Sequence, residues 1–252
     1  MSELSVHAAE STVGLSQTQR VVNAFVAPSK TFTDIKNGHK SWWLPFVIGV
    51  LISYGFYFAV ATKVTWPQVV ENAIHFNPKA EAGLANADPA RVQQTKSMML
   101  NSMKYGMLAS PVISVIYALV ITLGLWATIN FMFGGKADFG GVLAVAMYGT
   151  LPMSVKALLG IVVIYASGTP ESFNINNFAP TNVASFLSPL DTNGAIYALA
   201  GWIDFTTIWT AVLLGIGLSI VAGVKRSSGY AAVFGWTAIF MILNVGWHAL
   251  MG

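Results

Sequence analysis

Two ionisable residues, Lys156 and Asp204, sit inside long apolar runs of a 252-residue chain. The other 21 of its 23 Lys, Arg, Asp and Glu residues fall in more polar stretches. An ammonium and a carboxylate in a medium of low dielectric have two uses. They can pair and fix how two elements pack, or they can form a proton- or substrate-responsive pair in a pocket. Pairing is what an isolated charge at depth needs in order to persist. At helical rise, Lys156 lies about 4.5 Å beyond the midpoint of its run, and Asp204 about 8 Å from the midpoint of its own. Both offsets point to the same side. Asn244 and His248 fall on that side of the last apolar run, so Lys156, Asp204, Asn244 and His248 form a candidate polar cluster.

Other chemistry is thinly supported. The four histidines, His7, His39, His75 and His248, have no metal-ligand spacing, and there is no cysteine. No nucleophile elbow, phosphate-binding loop or paired-carboxylate motif is present. No catalytic, cofactor or metal site is expected.

The elements that must position the cluster follow from composition. Charged residues make up 9% and apolar types 55% of the chain, with a mean hydropathy of +0.62. A soluble domain carries roughly 25% charge, so a soluble enzyme is excluded, as is a disordered chain. Five runs reach the roughly 20 residues that a bilayer requires, near 42–62, 105–133, 139–166, 195–223 and 230–251. Pro152 and Lys156 interrupt the third, and Asp204 lies inside the fourth. The fold class expected is an all-α bundle of five transmembrane helices. Lys and Arg near the spans divide seven against five in favour of a cytoplasmic N-terminus and an outside C-terminus.

The connections carry further signals. Ser16 with Gln19 is a capping-box pattern, and Pro28 stops the helix it starts. Two short amphipathic helices then occupy the N-terminal segment, 1–41, and lie in the membrane interface; docking of a cytosolic partner is the alternative. Asp88-Pro89 starts a helix of about 45 residues that projects from the bilayer and bends at Pro111. Met99, Met103 and Met107 repeat along one face of it. Packing by an adaptable side chain is preferred there over Cu(I) ligation. The connection 167–194 carries Phe173, Phe178 and Phe186 and reads as an ordered loop on the outer leaflet. Gly215 and Gly217 sit in mid-span and suit close helix packing.

The chain resembles the Yip domain family, the Ypt/Rab-interacting integral membrane proteins, and its bacterial-type members in particular. Pro28, Phe32 and Ile35 lead to Trp42 and Pro45. The segment "GGKADFGGVLAVAMYGTLPMSVKAL" carries a glycine turn, Phe139, and Tyr148 four residues before Pro152. Asp204 is followed by Trp209 and "LLGIGLSIVAGVKRSSGYA". The resemblance covers about residues 20–250. It implies five membrane helices, a cytosolic N-terminus and, for a bacterial member, the inner membrane. It implies no catalytic residues. Eukaryotic relatives associate with small GTPases, but the long Pro/Gly/Gln-rich arm common in them is absent here, so that partner does not carry over. The function expected is a non-enzymatic scaffold or adaptor that associates with lipid and with another membrane protein or itself, with no nucleic acid. A small transporter or channel using Lys156 and Asp204 is the alternative.

Overall fold

A computed structural model describes residues 14–166 and 169–251. His7 lies outside the described residues. The described chain is all-α, and five of its helical segments are long and apolar enough to cross a membrane.

Helices α1 (Gln17–Val26) and α2 (Pro28–Lys36) form an N-terminal hairpin. The capping box at Ser16 and Gln19 is formed. Next come α3 (Trp43–Ala59), α4 (Trp66–His75), α5 (Pro78–Ala85) and α6 (Pro89–Leu108). They are followed by α7 (Ser110–Ala127), α8 (Phe139–Gly149) and α9 (Leu151–Ala166). The chain ends with α10 (Gly194–Trp202), α11 (Phe205–Ala222) and α12 (Arg226–Met251). The apolar spans are Trp43–Val64, Ser110–Met132, Phe139–Ala166, Phe205–Ala222 and Arg226–Leu250.

Two differences from the sequence reading, and one agreement, have local causes. The helix starting at Pro89 does not run unbroken to the second span. It turns at Ala109, where Pro111 withholds an amide and restricts the residue before it. The third span continues past Pro152 because that residue falls in the first turn of α9, where its missing N–H has no intrahelical acceptor to lose. The fourth run is two helices. It breaks at Ile203, and Asp204 is the N-cap of α11 rather than a residue inside a span.

α11 is the hub, with most of one face buried. A Cβ on Gly217 would stand 2.6 Å from Val145 Cγ1 and 2.9 Å from the Phe32 ring, so the glycine admits both α8 and α2 to the same place. Gly215 and Gly229 do the same between α11 and α12, where a Cβ on Gly229 would collide with the Gly215 carbonyl oxygen. Phe32, Ile35, Val142, Val145, Tyr148 and Leu218 fill the main core. A second core gathers Phe56, Val60, Trp66, Val69, Ile164 and Phe173, with Met103 and Met107 packed on its edge.

α11 spans about 27 Å at helical rise, so its two ends define two faces. The N-terminal hairpin reaches along α11 from the near end, with Phe32 against Gly217 and Phe25 against Trp209. The far face holds the Asp204 end together with the loop 169–193. That loop is ordered by short 3-10 turns, and Phe173 and Phe178 stack against Phe56. Phe186 remains exposed.

Candidate functional site

Asp204 is where helix geometry and charge meet. An aspartate at the N-cap accepts from the first-turn amides and faces the positive end of the helix dipole. Its Oδ1 accepts from the Thr207 amide (3.0 Å) and from the Thr206 hydroxyl. Its Oδ2 accepts from the Thr181 hydroxyl (2.8 Å) and from Lys156 Nζ (2.7 Å). The carboxylate is therefore fully buried and accepts four bonds. The strand-like pairing of Asn182 with Asp204 brings Thr181 into place, with the Phe205 amide donating to the Thr181 carbonyl.

Lys156 arrives from α9. Its ammonium also lies 5.7 Å from the centre of the Phe178 ring, a cation–π distance. It stays 20% exposed and lines a cavity of about 690 Å³ on the far face. Asn244 and His248 of α12 line the same cavity. Neither bonds to Lys156 or Asp204 among the described residues; Asn244 Oδ1 instead accepts from the Trp202 indole at 3.0 Å. Lys156 and Asp204 thus meet directly, while Asn244 and His248 share only the space beside them.

The motif residues Pro28, Phe32, Pro45, Tyr148, Pro152 and Trp209 do something else. Pro28 opens α2, and Pro45 is buried in the first turn of α3. The Tyr148 hydroxyl donates to Gln17 Oε1 (2.7 Å) and reaches the Ser41 carbonyl (3.1 Å). Trp209 meets Phe25 edge-on at 5.5 Å. Most of these residues seat the N-terminal hairpin on the bundle.

Sequence reasoning passed over a second buried polar network in that hairpin. Arg20 Nε and Asp34 Oδ2 are 3.3 Å apart and both nearly inaccessible. They form an ion pair without an aligned hydrogen bond between those two atoms. The Arg20 guanidinium donates to the His39 and Ser41 carbonyls, and the Leu15 amide donates to Asp34 Oδ1. Arg20 and Asp34 stand in a short polar segment, where charge carries no surprise. The available signal was their place on the inward side of α1 and α2. Asn72 was passed over too; its amide donates to the Pro170 and Phe173 carbonyls and ties α4 to the far-face loop. Among the described residues no group of three or more His, Asp or Glu could hold a metal ion.

With five spans and these contacts described, comparison with known proteins decides the family. A Yip1 domain profile matches residues 22–247. The chain belongs to the Yip1 domain family. This Yip1 domain chain is also similar to the membrane protein YknW of Bacillus subtilis (strain 168). The two are 25% identical over 145 residues, covering 56% of this chain and 59% of YknW. The chain therefore spans less than two thirds of that curated relative. No solved structure matches. The Yip1 domain chain is a polytopic integral membrane protein with a bacterial relative, and the matched interval contains Asp34 and the Lys156–Asp204 pair, while Arg20 lies just before it.

Proposed function

We propose that this Yip1 domain protein is a non-enzymatic scaffold or adaptor that binds another membrane protein, or a second copy of itself, in a bacterial inner membrane. The observation that carries this reading is α6. Its 20 residues include none that is buried, and it lies at the edge of the bundle, touching the second core through Met103 and Met107. A helix kept in one place yet presenting most of its surface is suited to receive a partner. The polar groups at depth support the same reading, because Asp204 and Asp34 are occupied by structural contacts. Val22 and Val26 of α1 face outward and suit contact with lipid, which agrees with an N-terminal segment anchored on the cytoplasmic surface.

A photo-cross-linking residue at Met98, an exposed position on α6, tests the proposal in native membranes. A discrete adduct is the expected result. Recovery of the chain only as a lone monomer, from Met98 and from a second exposed α6 position, would overturn it. The transporter or channel alternative draws on the cavity that Lys156 lines. Against it, Asp204 is sealed from that cavity by four bonds and has no free lone pair to offer a passing solute.

A further inference from the structure

The far-face cavity is rich in hydrogen-bond donors. Asparagine offers one acceptor oxygen and two amide hydrogens. Around this cavity four asparagines have the oxygen already engaged inside the protein. Asn77 Oδ1 accepts from the Ala80 amide (3.1 Å), and Asn174 Oδ1 from the Asn176 amide (2.9 Å). Asn193 Oδ1 accepts from the Ala195 amide (3.0 Å), and Asn244 Oδ1 from the Trp202 indole (3.0 Å). In each, the Nδ2 group makes no hydrogen bond among the described residues. The helix caps and the indole fix these orientations, so the unspent group on each of these four is a donor.

The charges agree. Lys156 and Lys79 line the cavity, and no Asp or Glu does. Asp204 accepts one hydrogen of Lys156 from behind, leaving the rest of that ammonium toward the cavity. Lys79 has no ion-pair partner among the described residues. The carboxylates of Glu71, Glu81 and Glu171 line an adjoining recess rather than this cavity, and the first two are engaged by Lys96 (2.7 Å) and His75 (3.2 Å). A cavity that offers these amide donors and two ammonium groups, and is lined by no carboxylate, is matched by a ligand rich in acceptor oxygens.

We propose that this cavity is an anion-binding site for a phosphate-bearing group. Its volume of about 690 Å³ is far larger than a bare phosphate needs and falls within the usual range for small organic ligands. Phosphate oxygens take the asparagine amides and the Lys79 and Lys156 ammonium groups, and the aromatic faces of Trp202 and Phe76 accommodate the organic remainder. The same chemistry is presented by a soluble phosphomonoester and by an anionic lipid headgroup. The inference does not rest on the scaffold reading.

Two measurements on the full chain separate the sources. In a neutral detergent, sn-glycerol 3-phosphate is titrated while tryptophan fluorescence is followed. In parallel, the chain is reconstituted in phosphatidylcholine nanodiscs with and without phosphatidylglycerol, and the retained lipid is read by native mass spectrometry. Saturable glycerol phosphate binding identifies a soluble ligand. Selective retention of phosphatidylglycerol without glycerol phosphate binding identifies a headgroup. In either case Lys79→Gln weakens binding about tenfold, the scale of one charged hydrogen bond, and Lys79→Glu abolishes it. Lys79 is exposed and makes no contact that folding needs, so both variants keep the wild-type melting temperature. No selectivity in either arm, or equal binding by wild type and both variants, would overturn the proposal.

Discussion

The molecule pairs one buried carboxylate at each end and builds the two pairs differently. Arg20 and Asp34 come from consecutive short helices and are 7% and 9% exposed. Their remaining capacity goes to the same segment: the His39 and Ser41 carbonyls, the Leu15 amide, and the His39 ring, whose Nδ1 stands 3.0 Å from Asp34 Oδ1. Lys156 and Asp204 come from α9 and the start of α11, with Lys156 20% exposed and Asp204 fully enclosed. There the carboxylate is saturated and the ammonium is not. The near pair clasps a hairpin and has little left to offer. The far pair clasps a broken helix and a loop, and leaves donors on a cavity wall. An ion pair within a membrane protein is therefore not one kind of feature; what matters is which partner still has bonds to give.

Single substitutions separate the two regions most sharply. Arg20→Leu leaves the buried Asp34 with only the His39 ring as ion-pair partner, 3.0 Å from its Oδ1, and the account expects about 3–5 kcal/mol of lost stability. Thermal unfolding in detergent checks this, and Arg20→Leu with Asp34→Leu recovers part of the loss. Lys156→Leu is milder, about 1–3 kcal/mol, because Asp204 keeps two threonine hydroxyls and one amide. A loss as large as that of Arg20→Leu would erase the distinction. Adding Asp204→Leu removes the unpaired charge but also the cap of α11, which costs about 1 kcal/mol. The double variant is thus expected near Lys156→Leu in stability, not at wild type. Charge reversal at Lys79 is expected to leave stability untouched and to change ligand binding alone.

The smallest effect lies at the near face. Asp138 caps α8 and meets Lys40 at 2.9 Å. Partial burial alone would raise its carboxyl pKa, but the Lys40 ammonium and the Gly141 amide outweigh it and hold the group below its ordinary value of 3.8. A folded-state value below the unfolded one stabilises above the unfolded pKa and loses that contribution as pH falls through the lowered value. Melting temperature is therefore expected to drop slightly more below pH 4 in wild type than in Asp138→Asn. The pair is exposed, so the difference is small.

Hydropathy made the five spans legible because their apolar length is a direct requirement of the bilayer. It made Asp204 conspicuous by the same contrast. It did not reveal that Asp204 ends one helix and begins another, because a cap set among Trp202, Ile203 and Phe205 leaves the apolar run unbroken. The Arg20–Asp34 network was hidden for the opposite reason: in a polar segment neither residue stands out until α2 is turned inward by Phe32 and Ile35. The cavity was not legible at all. Its donors come from Asn77, Asn174, Asn193 and Asn244, on four separate elements that only tertiary folding brings together.

The chain has no cysteine, which permits a direct test of the contrast between a closed near face and an open far face. Single cysteines at Ala198, which lines the cavity, and at Ala24, which is buried in the main core, are exposed in intact membranes to a water-soluble maleimide. The account predicts rapid labelling of Ala198→Cys and protection of Ala24→Cys. Equal protection at both positions, or faster labelling at Ala24→Cys, would contradict it.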